Sequence, residues 1–313
     1  MYTNKNIWFL YFIVLIIIII SLILFQANRK LFIPVNRIKY IPKTEFKNIF
    51  IPIIYNKKSK KIRHYIGRRP YCPCINVWYF DSFKDKDTKT ILYFHGNIGN
   101  NGHRDYVINI CQRFRLNLLL VDYRGFGKSN KHSTLDTICC DAELSYKFLI
   151  GQVDDPKKII VWGESLGGSP AVYIASTCEC GYLILLSTFS CLSDVIFYNN
   201  EKSKFNKYLS GIVPHLMNNL PNKKWIKNVK CQILIIHSKI DDTIPYRCAE
   251  ILNEAAKKSR LLLIDGIHGQ PKITKEQVKV LLEFCELNLI EFNNDDYLYV
   301  SEIIEKTAKT VFD

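Results

Sequence analysis

The sequence predicts an α/β fold, with helices on both faces of a mostly parallel central sheet and an N-terminal transmembrane helix in front of it. Short continuous apolar segments alternate with segments of helical character along most of the 313 residues. Uninterrupted apolar strands are typical of a parallel sheet, whose strands are buried on both faces. Strand–helix alternation implies right-handed crossovers, which bring the carboxyl ends of the strands to one edge. A 19-residue segment without a charge, residues 7–25, predicts the transmembrane helix.

This apolar segment has the length of a membrane-spanning helix. At a rise of about 1.5 Å per residue, a helix over residues 7–25 crosses most of a hydrocarbon core of about 30 Å. A cleaved signal peptide is the alternative, but its apolar region normally spans only about 7–15 residues and ends in small side chains. Here the segment ends in Phe25, Gln26 and Ala27. We therefore predict an uncleaved single-pass anchor with a short N-terminal tail at residues 1–28.

Positive charge is concentrated beside the predicted anchor. The formal net charge is +14, and residues 1–90 hold 17 of the 43 basic residues but only four of the 29 acidic ones. Most of these basic residues follow the apolar segment, so the positive-inside bias predicts that the large domain faces the cytosol, at the plasma membrane or an endomembrane. The cluster also predicts attraction to anionic lipids, although a Lys-rich solvated surface is the alternative interpretation. Nucleic-acid binding is disfavoured because no nucleic-acid motif accompanies the charge.

The rest of the chain divides into three predicted regions. Residues 29–89 form a basic juxtamembrane region with two first strands, 48–53 and 75–80, which an exposed loop at 57–74 connects. Residues 90–292 form the core and residues 293–313 a C-terminal tail. The core strands are predicted at 90–94, 117–121, 158–162, 181–186, 231–236 and 260–264. The core helices are predicted at 102–115, 134–150, 166–177, 246–258 and 274–291.

A G-x-S-x-G pattern follows the third core strand. Gly163-Glu164-Ser165-Leu166-Gly167 lies between an apolar strand and a helix start, which is the context of a nucleophile elbow. The glycines let the strand and the helix approach closely, and the sharp turn leaves the serine hydroxyl at its apex. We predict Ser165 to be the nucleophile, with an incidental turn serine as the alternative.

The partners of Ser165 are predicted from chain order, which in this arrangement is serine, acid, histidine. A serine needs a general base, and His268 lies on the loop after the last predicted strand. The acid that orients the imidazole is predicted to be Asp241, just after the preceding strand, although spacing alone does not exclude Asp242. His237, at the end of that preceding strand, is predicted to be structural.

Two backbone N–H groups are expected to stabilise the oxyanion of an acyl-transfer reaction. One is predicted to come from Leu166, directly after the nucleophile, and the other from Asn97, on the loop after the first core strand. A tight turn without a catalytic role is the alternative for the Asn97 loop. The sequence suggests no metal and no organic cofactor.

Several blocks between about residue 91 and residue 284 resemble the bud-emergence family of membrane-tethered α/β-hydrolase-domain proteins. The blocks are Tyr93 to Asn100 with Gly102-His103-Arg104, Leu119 to Ser129, Ser165-Leu166-Gly167-Gly168, Asp241 with Ile244-Pro245, and Gly266 with His268. The resemblance implies the α/β-hydrolase fold and supports the triad. Since relatives include thioesterases that remove palmitoyl groups from proteins, it also implies an acyl ester or thioester substrate. The chain departs from the family at Ser238 and Gly269, where relatives usually carry glycine and asparagine, and residues 57–74 resemble an insertion.

The predicted function is that of a membrane-anchored serine hydrolase that acts on an acylated protein or a lipid through an acyl-enzyme. The segment 190–230 is too short for a large lid. Its apolar residues form either a small cap suited to an acyl chain or simple packing on the sheet. A non-catalytic membrane scaffold for cell polarity or shape and a serine peptidase are the alternative functions.

Cysteine usage fits a domain in a reducing compartment. The eleven cysteines are an odd number without the spacing of zinc ligands. Cys72 and Cys74, beside the basic loop, are candidates for acylation as a second membrane signal, with ordinary loop cysteines as the alternative.

Overall fold

The computed structural model describes residues 11, 14–15, 33–36, 38, 41–53, 63–199 and 220–287. Twelve strands lie in these ranges: β1 (Ile33–Pro34), β2 (Lys47–Pro52), β3 (Tyr65–Ile66), β4 (Cys74–Phe80), β5 (Thr90–Phe94), β6 (Ile98–Gly99), β7 (Asn117–Asp122), β8 (Ile159–Glu164), β9 (Tyr182–Leu186), β10 (Gln232–Ser238), β11 (Ser259–Ile267) and β12 (Gln270–Lys272). The α-helices there are α1 (Asp105–Arg113), α2 (Leu135–Ile150), α3 (Gly168–Thr177), α4 (Leu192–Asn199), α5 (Asn222–Trp225), α6 (Arg247–Ala255) and α7 (Lys275–Phe284).

Ten of these strands form one sheet, in the order β12-β11-β10-β9-β8-β5-β7-β4-β2-β3. The six strands from β11 to β7 run parallel to one another. The first strands β4, β2 and β3 continue the sheet in antiparallel pairing at one end, and β12 adds an antiparallel strand at the other. The mostly parallel sheet predicted from the apolar segments is therefore confirmed.

The middle residues of the inner parallel strands are apolar because both faces of the sheet are covered there. Neighbouring residues of β5 illustrate this: Leu92 packs in one core with α2, α3 and α6, while Tyr93 packs in a second core with α1 and α7. Both side chains are fully buried. Chain order reverses at β5, which is followed in sequence by β7 on one side and β8 on the other. Open α/β sheets place their sites beyond the carboxyl ends of strands at such a reversal.

Two of the α-helices, α2 and α7, begin with side-chain caps that the sequence provides. Thr134 caps α2 by accepting a hydrogen bond from the Thr137 N–H, and Thr274 caps α7 by accepting one from the Gln277 N–H. In both, the side chain at the third helical position accepts a hydrogen bond from the backbone N–H of the cap residue, which completes a capping box. Each cap satisfies backbone donors that the first helical turn leaves without partners.

The predicted core strands and helices are all present, with bounds that differ by a few residues. The predicted helix 102–115 is a 3₁₀ turn followed by α1, and residues 288–291 of the last predicted helix lie outside the described residues. The strands β1, β3, β6 and β12 and the helices α4 and α5 were not predicted. Each has at most eight residues, and the two-residue strands in particular are too short to show a periodic pattern.

The loop prediction at 57–74 was wrong at two places. Residues 63–66 are exposed, as predicted, but Tyr65 and Ile66 form β3 and pair with β2. Cys74 begins the buried strand β4, where its thiol lies 3.2 Å from Asn130 Oδ1 and burial raises its pKa to about 11. Acylation of Cys74 is therefore incompatible with the folded strand, whereas Cys72 is partly exposed.

The predicted anchor at residues 1–28 lies outside the described residues except for Tyr11, Val14 and Leu15. Within the part of the chain that the structure describes, no helix is long and apolar enough to cross a bilayer. Residues 57–62 of the predicted loop, residues 200–219 of the predicted cap and the predicted tail at 293–313 also lie outside the described residues.

Candidate active site

A strained turn between β8 and α3 carries Ser165. The strand β8 ends at Glu164, a 3₁₀ turn spans Ser165–Gly167, and α3 follows directly. Ser165 has φ +53°, in the left-handed region that residues other than glycine seldom adopt. Such strain persists only where the surrounding structure enforces it, and it concentrates at functional sites. The geometry is that of the predicted nucleophile elbow.

Close packing holds this turn in place. A Cβ at Gly167 would lie 2.0 Å from the carbonyl oxygen of Phe94, and a Cβ at Gly163 would lie 2.6 Å from the Cβ of Ala171. Thr188, on the loop after β9, donates a 2.7 Å hydrogen bond from Oγ1 to the Ser165 carbonyl oxygen. The glycines of the pattern are therefore required by the approach of α3 to β5 and β8.

The structure brings His268 to Ser165 across 103 positions of sequence. Ser165 Oγ lies 3.0 Å from His268 Nε2. His268 sits at the turn between β11 and β12, which pair antiparallel as a hairpin. Gly269, the next residue, has φ +72°. Glycine and asparagine are the residues that best tolerate this conformation.

Asp241, and not Asp242, contacts the imidazole. His268 Nδ1 lies 2.9 Å from Asp241 Oδ2, and the Asp241 side chain is only 1% exposed. Asp241 Oδ1 accepts hydrogen bonds from the backbone N–H groups of Thr243 and Ile244, at 3.0 and 2.8 Å. Asp242 instead accepts a 3.2 Å hydrogen bond from the His268 backbone N–H. The two neighbouring carboxylates thus hold the ring and the backbone of the same histidine.

Asp241 is held in its ionised form. Burial alone would raise the pKa of this carboxyl, but the His268 side chain and the two backbone N–H donors more than offset it, so the pKa lies below its usual value. Carboxylates in this state orient an imidazole and stabilise its protonated form.

His237 lies next to this carboxylate at the end of β10. Its ring is fully buried, and Nε2 lies 2.9 Å from the Ile244 carbonyl oxygen and 3.4 Å from Asp241 Oδ2. Burial lowers the pKa of His237, against the opposing effects of Ile244 and Asp241, so the ring is neutral. A neutral ring that donates from Nε2 to Ile244 fastens the Asp241 loop, which agrees with the structural role predicted for His237.

The two residues predicted to supply oxyanion donors, Asn97 and Leu166, line the same cavity as Ser165. The loop after β5 approaches the nucleophile closely, since a Cβ at Gly96 would lie 3.3 Å from the Cβ of Ser165. Their backbone donors therefore belong to the two segments that flank Ser165, as the nucleophile elbow requires.

The cavity at Ser165 has a volume of about 530 Å³, within the range of small-molecule sites. Its wall contains both apolar and polar side chains. Apolar side chains on the wall are Ile98, Leu166, Phe189, Leu192, Val195, Ile244, Ile267 and Pro271. Polar side chains besides Ser165 and His268 include Arg104, Tyr106 and Glu164. Among the described residues, no group of three His, Cys, Asp or Glu side chains is arranged to hold a metal ion.

Sequence reasoning missed the polar cluster beside the nucleophile. Glu164 Oε2 accepts hydrogen bonds from the hydroxyl groups of Tyr93 and Tyr106, the second at 2.6 Å, and the two hydroxyl oxygens lie 2.7 Å apart. Burial would raise the pKa of Glu164, but Arg104 and the two tyrosines more than offset it and lower the pKa. The position of Glu164 inside the G-x-S-x-G pattern indicates that it lies beside the nucleophile. Its partners could not be found in this way, because they come from β5 and the start of α1.

Known proteins with similar sequences include an α/β-hydrolase domain-containing protein and a lipase. WAV2 of Arabidopsis thaliana, an α/β-hydrolase domain-containing protein, is 25% identical over 242 residues, which cover 71% of this chain and 78% of WAV2. The lysophosphatidylserine lipase ABHD12 of Danio rerio is 26% identical over 199 residues, 59% of this chain and 51% of the relative. Protein bem46 of Schizosaccharomyces pombe is 26% identical over 159 residues, 50% of this chain and 52% of the relative. No family model matches the chain.

A solved structure shows the same fold. The esterase Pf2001 of Pyrococcus furiosus superposes with a TM-score of 0.57 at 19% identity, covering 89% of this chain and 98% of the esterase. These findings show that the chain has the α/β-hydrolase fold, with a serine at the nucleophile elbow. More particularly, they confirm its resemblance to the bud-emergence type of α/β-hydrolase-domain proteins.

Proposed function

We propose that this chain is a membrane-anchored hydrolase of acyl esters or thioesters, with Ser165, His268 and Asp241 as its catalytic triad. The observation that carries the proposal is the continuous contact from Ser165 Oγ through the His268 ring to Asp241, at 3.0 and 2.9 Å, beside a largely apolar cavity. The name of the zebrafish relative, a lysophosphatidylserine lipase, supports an acyl substrate.

In the proposed reaction, Ser165 Oγ attacks the acyl carbonyl carbon while His268 Nε2 accepts the hydroxyl proton. The charge that develops on the carbonyl oxygen is stabilised by the N–H groups of Leu166 and Asn97. Asp241, ionised and bound to Nδ1, stabilises the imidazolium. When the tetrahedral intermediate collapses, His268 gives the proton to the leaving alcohol or thiol, and the acyl group stays on Ser165.

The second half of the reaction uses the same groups with water as the nucleophile. His268 accepts a proton from the water, which attacks the acyl-enzyme, and then returns a proton to Ser165 Oγ. The apolar wall formed by Phe189, Leu192 and Val195 holds the acyl chain next to Ser165. Because burial of apolar surface contributes about 25 cal/mol per Å², an acyl chain gains affinity with each methylene that enters.

A fluorophosphonate probe tests the enzyme directly. We expect the folded protein to form one covalent adduct, which peptide mass spectrometry places on Ser165, because the elbow exposes an activated hydroxyl. Heat-denatured protein and the Ser165→Ala variant are the controls, and both should remain unlabelled. A folded wild-type protein that resists the probe would instead favour the scaffold interpretation.

The proposed anchor is the apolar segment 7–25, with the basic juxtamembrane residues drawn to anionic lipids on the cytosolic side. We expect the full chain to remain with membranes after alkaline extraction, and the double variant Ile17→Lys, Ile18→Lys to be released. Each lysine near the centre of a spanning helix costs about 2.5–3.5 kcal/mol. The matched pair Ile17→Leu, Ile18→Leu should remain in the membrane fraction. Release of the wild type together with the lysine variant would contradict the anchor.

A further inference from the structure

We propose that Glu164 forms a subsite that accepts a hydrogen bond from a neutral donor on the substrate, a hydroxyl or an amide N–H next to the scissile bond. This inference rests on the proposed hydrolase function and specifies which leaving groups the site prefers. Glu164 directly precedes Ser165 and lines the same cavity, so a group bound to it lies beside the reacting carbonyl.

One carboxylate oxygen of Glu164 is occupied and the other is available. Oε2 accepts hydrogen bonds from the hydroxyls of Tyr93 and Tyr106. Among the described residues, no donor contacts Oε1. Glu164 and Tyr106 are both partly buried, and both line the cavity. An ionised carboxylate has about four acceptor positions on its two oxygens, so the cluster leaves acceptor capacity on the cavity side.

The charge of this cluster favours a neutral donor over a cation. Arg104, which is 3% exposed, also lines the cavity and lowers the pKa of Glu164. Its guanidinium is fixed by hydrogen bonds to the carbonyl oxygens of His103 and Ile98. The carboxylate therefore already has a compensating positive charge, and a substrate ammonium would be repelled by Arg104. A hydroxyl or an amide N–H gains the hydrogen bond without that repulsion.

The Glu164→Gln substitution reverses the polarity of this subsite without changing its shape. The hydroxyls of Tyr93 and Tyr106 both donate toward the Oε2 position, so they fix the amide oxygen of glutamine there. The amide NH₂ then occupies the Oε1 position and presents donors where the wild type presents an acceptor. A substrate donor would meet another donor, and the preference for it should disappear.

The experiment compares matched esters of one acyl chain on the full-length protein. The hydroxyethyl ester is paired with the propyl ester, and the acetamidoethyl ester with its N-methylated form, so each pair differs in one donor. A hydrogen bond to a charged group contributes about 1.5–3 kcal/mol, so we expect the wild type to prefer each donor ester by roughly tenfold or more in kcat/KM. In Glu164→Gln the ratio should fall to about one or below. The ratio is independent of the amount of active protein.

Controls separate this inference from the proposed function. Glu254→Gln makes the same chemical change on the exposed face of α6 and should keep the wild-type ratios. If Glu164→Gln does not fold, the ratios of the wild type still decide the matter. Equal rates on donor and blocked esters would overturn the subsite while leaving the hydrolase intact. Absence of hydrolysis of every ester and of the matching thioesters would instead overturn the proposed function.

Discussion

Substitution of Ser165 or Asp241 in the proposed triad is expected to reduce kcat by several orders of magnitude, and the reduction should be larger for Ser165. Ser165→Ala removes the nucleophile and should lower kcat by about a million-fold, as in other serine hydrolases. Asp241→Asn should lower kcat by about 10⁴-fold, because it changes the tautomer of His268. Steady-state kinetics on one ester, with protein folded as judged by circular dichroism, measures both.

The contacts of Asp241 determine which tautomer of His268 an asparagine at 241 would select. An asparagine at 241 can still accept the N–H groups of Thr243 and Ile244 with its oxygen in the Oδ1 position. Its NH₂ then occupies the Oδ2 position, 2.9 Å from His268 Nδ1, and requires Nδ1 to be an acceptor. The ring proton moves to Nε2, which can no longer take the proton of Ser165.

The neighbouring aspartate provides the matched control. Asp242→Asn makes the same change one residue away, but Asp242 Oδ1 accepts hydrogen bonds from the backbone N–H of His268 and the hydroxyl of Thr243, and an amide oxygen can still accept both. We expect kcat to change by no more than a few fold. If Asp242→Asn lowered kcat as much as Asp241→Asn, the assignment of the orienting acid would be wrong.

The choice between these aspartates shows where sequence reasoning reaches its limit. Chain order and the ends of predicted parallel strands placed Ser165, Asp241 and His268 at one edge of the sheet, because parallel strands share that edge. Spacing could not separate Asp241 from Asp242, since both follow β10 on one loop. The loop conformation decides, and it depends on the N–H groups of Thr243 and Ile244 and on His237.

The long apolar strands were predictable because burial on both faces leaves a continuous signal. The cluster around Glu164 was not predictable from the sequence, because Tyr93, Arg104 and Tyr106 reach it from β5 and the start of α1, and nothing local in their sequence marks a carboxylate partner.

Cys74 illustrates the opposite error, a loop predicted where a strand forms. Its neighbours Pro70 and Pro73 predict a loop, yet Cys74 pairs with Pro52 as the first residue of β4. Long-range pairing overrides local turn residues there.

The Gly167→Ala substitution is expected to lower the free energy of unfolding by roughly 3–5 kcal/mol, which is at the upper end of the range for single substitutions. The added Cβ would lie 2.0 Å from the Phe94 carbonyl oxygen and 2.7 Å from that of His95. Both are backbone atoms at the end of β5, so relief requires α3 and the Ser165 turn to move away from the sheet.

Gly151→Ala is the matched control for this substitution, because its Cβ would come no closer than 3.4 Å to any other atom, an ordinary contact with the Phe148 carbonyl oxygen. Both substitutions restrict the unfolded chain equally, so the difference between them isolates the cost in the folded state. Urea denaturation of the two variants and the wild type measures this difference. Equal midpoints for the two variants would mean that the nucleophile turn tolerates a side chain at 167, and the close approach of α3 to β5 could not be what holds Ser165 in its strained conformation.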